Sequence, residues 1–168
     1  KVGEDVTFAL DCASTELFKK NEYIFSNSEK LSSNALTDYL DKLVKEYPIT
    51  SIEDGLDEND WQGWETLTNK LGKKIQLVGD DLFVTNKDVL QDGIDRRIAN
   101  SVLVKINQIG TISETYQTIN LAYQHNYKCI ISHRSGETED NFIADLAIGT
   151  GAGQIKTGAP SRLSLIHI

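Results

Sequence analysis

Charged and amide side chains follow six short apolar runs of this 168-residue sequence, at the positions where buried strands would end. In a parallel βα fold the carboxyl ends of all strands lie at one face, and that face carries the active site. A single charged residue after a strand usually begins a solvated loop, but six in series predict a shared site. In chain order these residues are Asp11; Glu53 and Asp54; Asp80 and Asp81; Lys105, Asn107 and Gln108; His133, Arg134 and Ser135; and Lys156.

Three of these carboxylates, from Asp11, Glu53 and Asp80, would repel one another if they converged without a positive partner. A hard divalent cation relieves that repulsion, and a set of oxygen ligands without His or Cys favours Mg²⁺ over Zn²⁺. The sequence therefore predicts a magnesium site. The alternative is that strand-end carboxylates cap the following helices. The residues that suit this alternative better lie in the loop before the next predicted helix: Asp54, Asp57 and Asp60.

Lys105 stands in the apolar run SVLVKIN, where a lysine needs a specific reason. One interpretation is a structural ion pair with one of the carboxylates. The other is a general base, because desolvation and a nearby dication both disfavour the ammonium form of a lysine, and a neutral amine accepts a proton.

The segment SHRSGETED places His133, Arg134 and Ser135 consecutively after a strand. An arginine binds phosphate or carboxylate with two parallel hydrogen bonds, and serine and backbone N–H groups add others. Lys156 supplies a second cation. The shared face would then have a metal site on one side and an anion-binding site on the other. This combination predicts a small polyanionic substrate.

The apolar runs are mostly continuous and not alternating, as expected for strands that are buried on both faces. The predicted strands are Val6–Asp11, Thr50–Glu53, Ile75–Gly79, Ser101–Ile106, Cys129–Ser132 and Gln154–Lys156. The later ones recur at a nearly even interval, which indicates a repeated βα unit in a parallel sheet, either open or closed as a barrel. The longer first interval contains a predicted loop or short hairpin at Lys19–Ser28.

Amphipathic patterns between these runs predict helices. The first pattern runs from Leu36 to Tyr47 and is stopped by Pro48; the second runs from Trp61 to Leu71, with Asn59 as its predicted cap and Gly72 at its end; a weaker helix follows Thr85; the last two run from Ile112 to Tyr123 and from Phe142 to Gly149.

Composition narrows the class of protein. With 39% hydrophobic and 25% charged residues the chain is typical of globular domains, and we see neither a linker nor a second domain. A net charge of −8 without a Lys/Arg run argues against nucleic acid as a partner, and no apolar run approaches the roughly 18 residues of a membrane span.

Cys12 and Cys129 are predicted to be small buried thiols in a reducing cytosol. The sequence has no signal-peptide pattern at its start and no Met, so we interpret its N-terminus as an internal cut in a longer protein.

The strand-end motifs together resemble the enolase family. The similar segments, in family order and at family spacing, are ALDCAS, SIED, VGDDLFVTN, VKINQIGT, SHRSGETED and GQIKTGAPSR. The resemblance covers Val2 to Arg162 and is closer to bacterial members. It implies an α/β fold of the TIM type, an incomplete (β/α) barrel with about six of the eight βα units. We expect residues 1–162 to form this partial domain, and the tail at 163–168 matches nothing expected of the family.

The resemblance also implies roles for the strand-end residues. Mg²⁺ would be bound by Asp11, Glu53 and Asp80; the C2 proton of 2-phosphoglycerate would be removed by Lys105; the phosphate would be bound by Arg134 and Ser135; the carboxylate would be bound by Lys156; and His133 would lie beside the substrate.

Three functions are compared. The resemblance favours phosphopyruvate hydratase, which dehydrates 2-phosphoglycerate to phosphoenolpyruvate. A related metal-dependent enzyme for sugar acids would carry different residues at SHRSGETED and GQIKTGAP, and the third alternative is a surface-binding or inert form.

The family's N-terminal domain, first barrel strands, general acid and mobile serine loop are not in this sequence, so the isolated chain is expected to be inactive. The complete protein is expected to form a homo-oligomer in the cytoplasm, with the cell surface or exterior as a second location.

Overall fold

A parallel sheet forms the centre of the protein in the computed structural model, which describes residues 1–26, 28–134 and 140–158. The strands of the described residues are β1 (Phe8–Asp11), β2 (Phe18–Lys19), β3 (Glu22–Ile24), β4 (Lys30–Leu31), β5 (Ile49–Glu53), β6 (Gln76–Gly79), β7 (Ser101–Val104), β8 (Lys128–Ser132) and β9 (Ile155–Lys156). All six predicted strands are present, with small differences at their ends. The tail at 163–168 lies outside the described residues.

The large sheet is curled into a half-barrel. Its strand order is β1-β5-β6-β7-β8-β9, and each neighbouring pair is parallel. Side chains from distant strands nevertheless meet on the inner face: Lys156 of β9 bonds to Asp11 of β1, at the opposite edge. The side-chain amides of Gln76 and Gln154 exchange two hydrogen bonds, of 3.1 and 2.9 Å. This curvature gathers the carboxyl ends of the strands along one rim, and the predicted α/β parallel fold is confirmed.

Helices cover the outer face of the sheet. They are α1 (Ser33–Glu46), α2 (Trp61–Leu71), α3 (Lys87–Asp95), α4 (Ile106–Ile109), α5 (Ile112–Gln124) and α6 (Phe142–Gly149), with a 3₁₀ turn at Ser14–Leu17. The main core lies between these helices and the sheet, while Val78, Leu103 and Ile130 form a separate buried cluster on the inner face. Successive strand residues alternate between the two layers, as the pleat requires.

Two of the predicted boundaries that differ have a clear structural reason. The cap of α2 is Asp60 and not Asn59, because the Asp60 side chain is the one that accepts from the Gly63 N–H, at 3.0 Å. The strand predicted to reach Ile106 ends at Val104. The Lys105 carbonyl there accepts from the Gln108 N–H and begins α4, a single turn that is too short to show helical periodicity.

The segment predicted as a loop or short hairpin, Lys19–Ser28, contains most of a hairpin formed by β2 and β3, which belongs to a small antiparallel sheet, β2-β3-β4. Its anchor is Tyr23, which is completely buried. The Tyr23 hydroxyl donates to the Asp60 carboxylate and accepts from the Asp57 N–H, each at 2.9 Å. The small sheet is therefore tied to the residues that begin α2.

Both cysteines are free thiols, as predicted. The predicted burial is confirmed for Cys129, which is completely buried, but is wrong for Cys12, which is only partly buried. Burial raises the pKa of Cys129 to about 12, and burial together with nearby carboxylates raises that of Cys12 to about 11. Within the described ranges no helix has the length and apolar character that crossing a bilayer requires.

The buried ring of Phe83 lies between two glycines. A Cβ atom placed on Gly79 of β6 would lie 2.5 Å from this ring, and so would one placed on Gly93 of α3. Only a residue without a side chain fits at either position while the ring stays in place. Phe83 thus fixes the distance between the end of β6 and the helix that follows it.

Gly93→Ala tests this arrangement. Alanine in a helix interior normally stabilises by roughly 0.5–1 kcal/mol relative to glycine. Here we expect a loss of about 1–3 kcal/mol, because the new methyl group overlaps a ring that cannot move away. The measurement is the midpoint of chemical unfolding, with Gly149→Ala in α6 as the matched control, since nothing lies within 4 Å of a Cβ there. A Gly93→Ala protein as stable as the control would contradict the tight packing of the Phe83 ring against Gly93.

Candidate functional site

The structure brings the described strand-end residues to one rim of the half-barrel. Asp11, Glu53 and Lys156 end β1, β5 and β9; Asp80 and Lys105 directly follow β6 and β7; His133 and Arg134 follow β8. Ser135, the predicted partner of Arg134 in anion binding, lies outside the described residues. An open cleft of about 1110 Å³ on the inner face of the sheet reaches Asp11, Glu53 and Lys156.

Lys156 joins two of the predicted metal ligands. Its ammonium group lies 2.8 Å from the Asp11 carboxylate and 2.7 Å from that of Glu53. Burial lowers the pKa of Lys156, but the hydrogen bonds to Asp11 and Glu53 outweigh burial and raise it above its ordinary value. Burial raises the pKa of Glu53 to about 7; Lys156 opposes this shift, while Asp11 and Asp80 add to it. The charges of these residues are therefore coupled across the rim.

Asp80 and Lys105 form an ion pair in which both side chains are largely buried. One Asp80 oxygen accepts from the Lys105 ammonium group, and the other accepts from the Gln108 amide at 3.2 Å. The ion pair that the sequence left open as an alternative to a general base is thus present. The general-base role stays a prediction.

Asp54 has a role that the sequence analysis missed. It was assigned to helix capping, but its two carboxylate oxygens accept from the backbone N–H groups of Asp80 and Asp81, each at 2.9 Å. Burial raises the pKa of Asp54 to about 7, against the effect of these two hydrogen bonds. Its φ of 43° lies in the left-handed region, which Asp adopts more readily than most residues. Asp54 holds the backbone that carries Asp80.

The loop after β6 contains two further left-handed residues, Val84 with φ 44° and Thr85 with φ 58°. Both are β-branched, and such conformations cost on the order of 1–3 kcal/mol each unless the surroundings impose them. The sequence of the loop does not predict these left-handed conformations, because β-branched residues favour extended backbone. The strain lies between Asp80 and α3, beside the predicted site.

The carboxylates of this rim fit a hard divalent cation. The side chains of Asp11, Glu53 and Asp80 offer only oxygen atoms, which hard cations prefer, and each of these carboxylates already binds a positive group, the ammonium of Lys105 or Lys156. Among the described residues, however, the three carboxylates that approach within 4.8 Å of one another are those of Asp54, Asp80 and Asp81. An acidic triad is present, and the choice of Asp11, Glu53 and Asp80 as the ligands stays a prediction.

The described part of the predicted anion site is next to Lys156. The His133 N–H donates to the Lys156 carbonyl, and His133 Nδ1 accepts from the Gly158 N–H, both at 3.0 Å. Because Nδ1 is an acceptor, the ring proton lies on Nε2. Arg134 is exposed, and its charge, like that of Lys105, lowers the pKa of Asp81, although burial and Asp80 raise that pKa more. Arg134 therefore acts on the same rim as the carboxylates.

Comparisons with known proteins agree with this geometry. Residues 2–167 match the family described as "Enolase, C-terminal TIM barrel domain". The chain is 58% identical over 163 residues to proteins named enolase from Legionella pneumophila strains Paris and Philadelphia 1, and 59% identical to that of strain Lens. These alignments cover 96% of this chain and 39% of each relative, so the chain spans about two fifths of their length. The predicted barrel class is confirmed.

Asp54→Asn is expected to loosen the loop that carries Asp80. An amide keeps one acceptor and points an NH₂ group at the other backbone N–H, so one charge-assisted hydrogen bond is lost and one donor is left without a partner. We expect a loss of about 1.5–3 kcal/mol, measured by chemical unfolding. Asp57→Asn is the matched control: Asp57 is equally buried, but its carboxylate accepts from the Asn59 N–H through one oxygen, which an amide retains. Equal stability of the two variants would contradict the role of Asp54.

Proposed function

We propose a function for a chain that belongs to the enolase family. The protein that contains this chain is proposed to be a phosphopyruvate hydratase, which converts 2-phosphoglycerate to phosphoenolpyruvate and water. The observation that supports this most directly is that two lysines pair with three strand-end carboxylates on one rim, Lys105 with Asp80 and Lys156 with both Asp11 and Glu53. This arrangement combines a base with positive charge for an acidic substrate.

Lys105 is proposed to remove the C2 proton. It is held against Asp80 and largely screened from water, so its amine has a fixed direction. A lysine base paired with Mg²⁺ is the known pattern of the enolase superfamily. Bound by Asp11, Glu53 and Asp80, Mg²⁺ would stabilise the negative charge that develops on the substrate carboxylate as the proton leaves.

The other cations are proposed to bind the two acidic ends of the substrate. Lys156 faces the inner cleft and would bind the carboxylate. Arg134, with Ser135, would bind the phosphate, since a guanidinium group matches two phosphate oxygens at once. His133 is fixed by its bond from Gly158 and would lie beside the bound molecule. Substrate orientation would therefore come from β8 and β9, and proton removal from β7.

We further propose that the complete protein is a homo-oligomer of the cytoplasm, with the cell surface or exterior as a second location. The resemblance to the family supports all of these points, and the free thiols of Cys12 and Cys129 fit a reducing compartment. Sedimentation of the purified protein and fractionation of cells are the corresponding measurements.

The function is tested on the complete protein with 2-phosphoglycerate and Mg²⁺, by following phosphoenolpyruvate absorbance. The unaltered protein should turn over, and Lys105→Ala should lose exchange of the C2 proton with solvent by at least about 10²–10⁴-fold while it still binds the substrate. The 168-residue chain alone serves as a further sample and is expected to be inactive. Turnover of a sugar acid in place of 2-phosphoglycerate, or normal exchange in Lys105→Ala, would contradict the proposal.

Arg134→Lys tests the anion site separately. Lysine keeps the positive charge but loses the planar pair of donors. We expect the affinity for 2-phosphoglycerate to fall by about tenfold or more, which corresponds to about 1.4 kcal/mol, in an equilibrium titration. Arg96→Lys is the control, because Arg96 is an exposed arginine at the end of α3 that lies over the Trp61 ring. Unchanged affinity in Arg134→Lys would remove Arg134 from phosphate binding.

A further inference from the structure

Thr85 belongs to a closed ring of hydrogen bonds that passes through both Lys105 and Asp80. The Lys105 backbone N–H donates to the Thr85 hydroxyl at 2.9 Å, and that hydroxyl donates to the Gln108 side-chain oxygen at 2.9 Å. The Gln108 NH₂ group donates to one Asp80 oxygen at 3.2 Å, and the Lys105 ammonium group donates to the other. The ring begins at the backbone of Lys105 and ends at its side chain.

The orientation of the Gln108 amide in this ring depends on Thr85. Its hydroxyl has a single proton and accepts from the Lys105 N–H, so it donates to Gln108; the Leu103 carbonyl, at 3.4 Å, is the more distant acceptor. With the Gln108 oxygen facing Thr85, the NH₂ group must face Asp80. A side chain without a hydroxyl at position 85 would leave the Lys105 N–H unsatisfied and the Gln108 amide without a fixed orientation.

The surroundings hold Thr85 in its left-handed conformation. The Thr85 side chain is completely buried, and its carbonyl accepts from the Thr118 hydroxyl of α5 at 2.8 Å. Before it in the chain, the Val84 N–H donates to the Asp80 carbonyl at 2.8 Å, and Phe83 is fixed between two glycines. Contacts on three sides therefore impose a backbone that threonine does not favour, and their effect is to aim one hydroxyl at the ring.

From this geometry we propose that Thr85 is a positioning residue: acting through Gln108, it fixes the directions of the Lys105 amine and the Asp80 carboxylate relative to each other. The inference rests on the proposed function, in which Lys105 takes the C2 proton. Thr85 does not contact the substrate in this account. Its loss should therefore slow proton removal without weakening substrate binding, because a small error in the direction of a reacting group lowers the rate strongly.

The test uses the complete protein with Thr85→Val, which keeps the shape and removes the hydroxyl, and Thr85→Ser, which keeps the hydroxyl. Thr115→Val is the matched control, since Thr115 is equally buried but its hydroxyl bonds within its own helix, to the Thr111 carbonyl. Gln108→Met, at a partly exposed position, interrupts the ring with little risk to folding.

We expect Thr85→Val and Gln108→Met to lower kcat and C2 proton exchange by at least tenfold, with KM changed by less than about threefold, and Thr85→Ser to restore most of the rate. Independently of activity, hydrogen exchange at the Lys105 amide should become at least tenfold faster in Thr85→Val and stay unchanged in Thr115→Val. A rate in Thr85→Val and Gln108→Met equal to that of Thr115→Val would overturn the proposal, and so would a rise in KM that accounts for the whole loss.

Failure of the proposed function and failure of the Thr85 role give different results in these measurements. If the unaltered protein does not act on 2-phosphoglycerate, the proposed function is wrong whatever the Thr85 variants do. If the unaltered protein is active and Lys105→Ala is not, but Thr85→Val retains full activity and normal exchange at the Lys105 amide, the function stands and the positioning role of Thr85 is refuted.

Discussion

The pairing of charges along one rim of the half-barrel is the interaction on which the rest of the structure depends. Asp11, Glu53 and Asp80 leave neighbouring strands of a parallel sheet and would repel one another. Lys156 reaches from β9 to the carboxylates of β1 and β5, while Lys105 holds Asp80. The first contact is possible only because the sheet curls until its two edge strands face each other. Charge neutralisation and barrel curvature are thus linked.

Loops and not strands give this rim its fixed geometry. The Asp54 carboxylate holds the backbone of Asp80 and Asp81, and the Phe83 ring fixes the loop between β6 and α3. The left-handed residues Val84 and Thr85 show that the loop is imposed by its contacts and not by local preference. A rim that carries several like charges needs such supports, because each charged side chain must keep its direction in the presence of its neighbours.

The sequence predicted the strands and most helices because buried parallel strands and amphipathic helices have distinct patterns. It placed the charged residues on one rim for the same reason: chain order determines which strand ends are neighbours. It did not predict the role of Asp54, because a carboxylate in a loop before a helix is typical of a cap. It did not predict α4, which is one turn long, or the left-handed backbone of Thr85, which depends on contacts with Phe83 and Thr118. Long-range contacts of this kind leave no local pattern.

The proposal tested most directly is that the rim binds a divalent ion through Asp11, Glu53 and Asp80, and that the ion takes the place of the Lys156 contacts to Asp11 and Glu53 while Lys105 stays beside Asp80. Anomalous X-ray scattering from crystals of the complete protein grown with Mn²⁺ locates the ion directly. The account predicts a peak bound by the carboxylates of these three residues at roughly 2.0–2.2 Å, with the Lys156 ammonium group withdrawn from Asp11 and Glu53. A peak bound by Asp54, Asp80 and Asp81, or the absence of a peak on this rim, would contradict it.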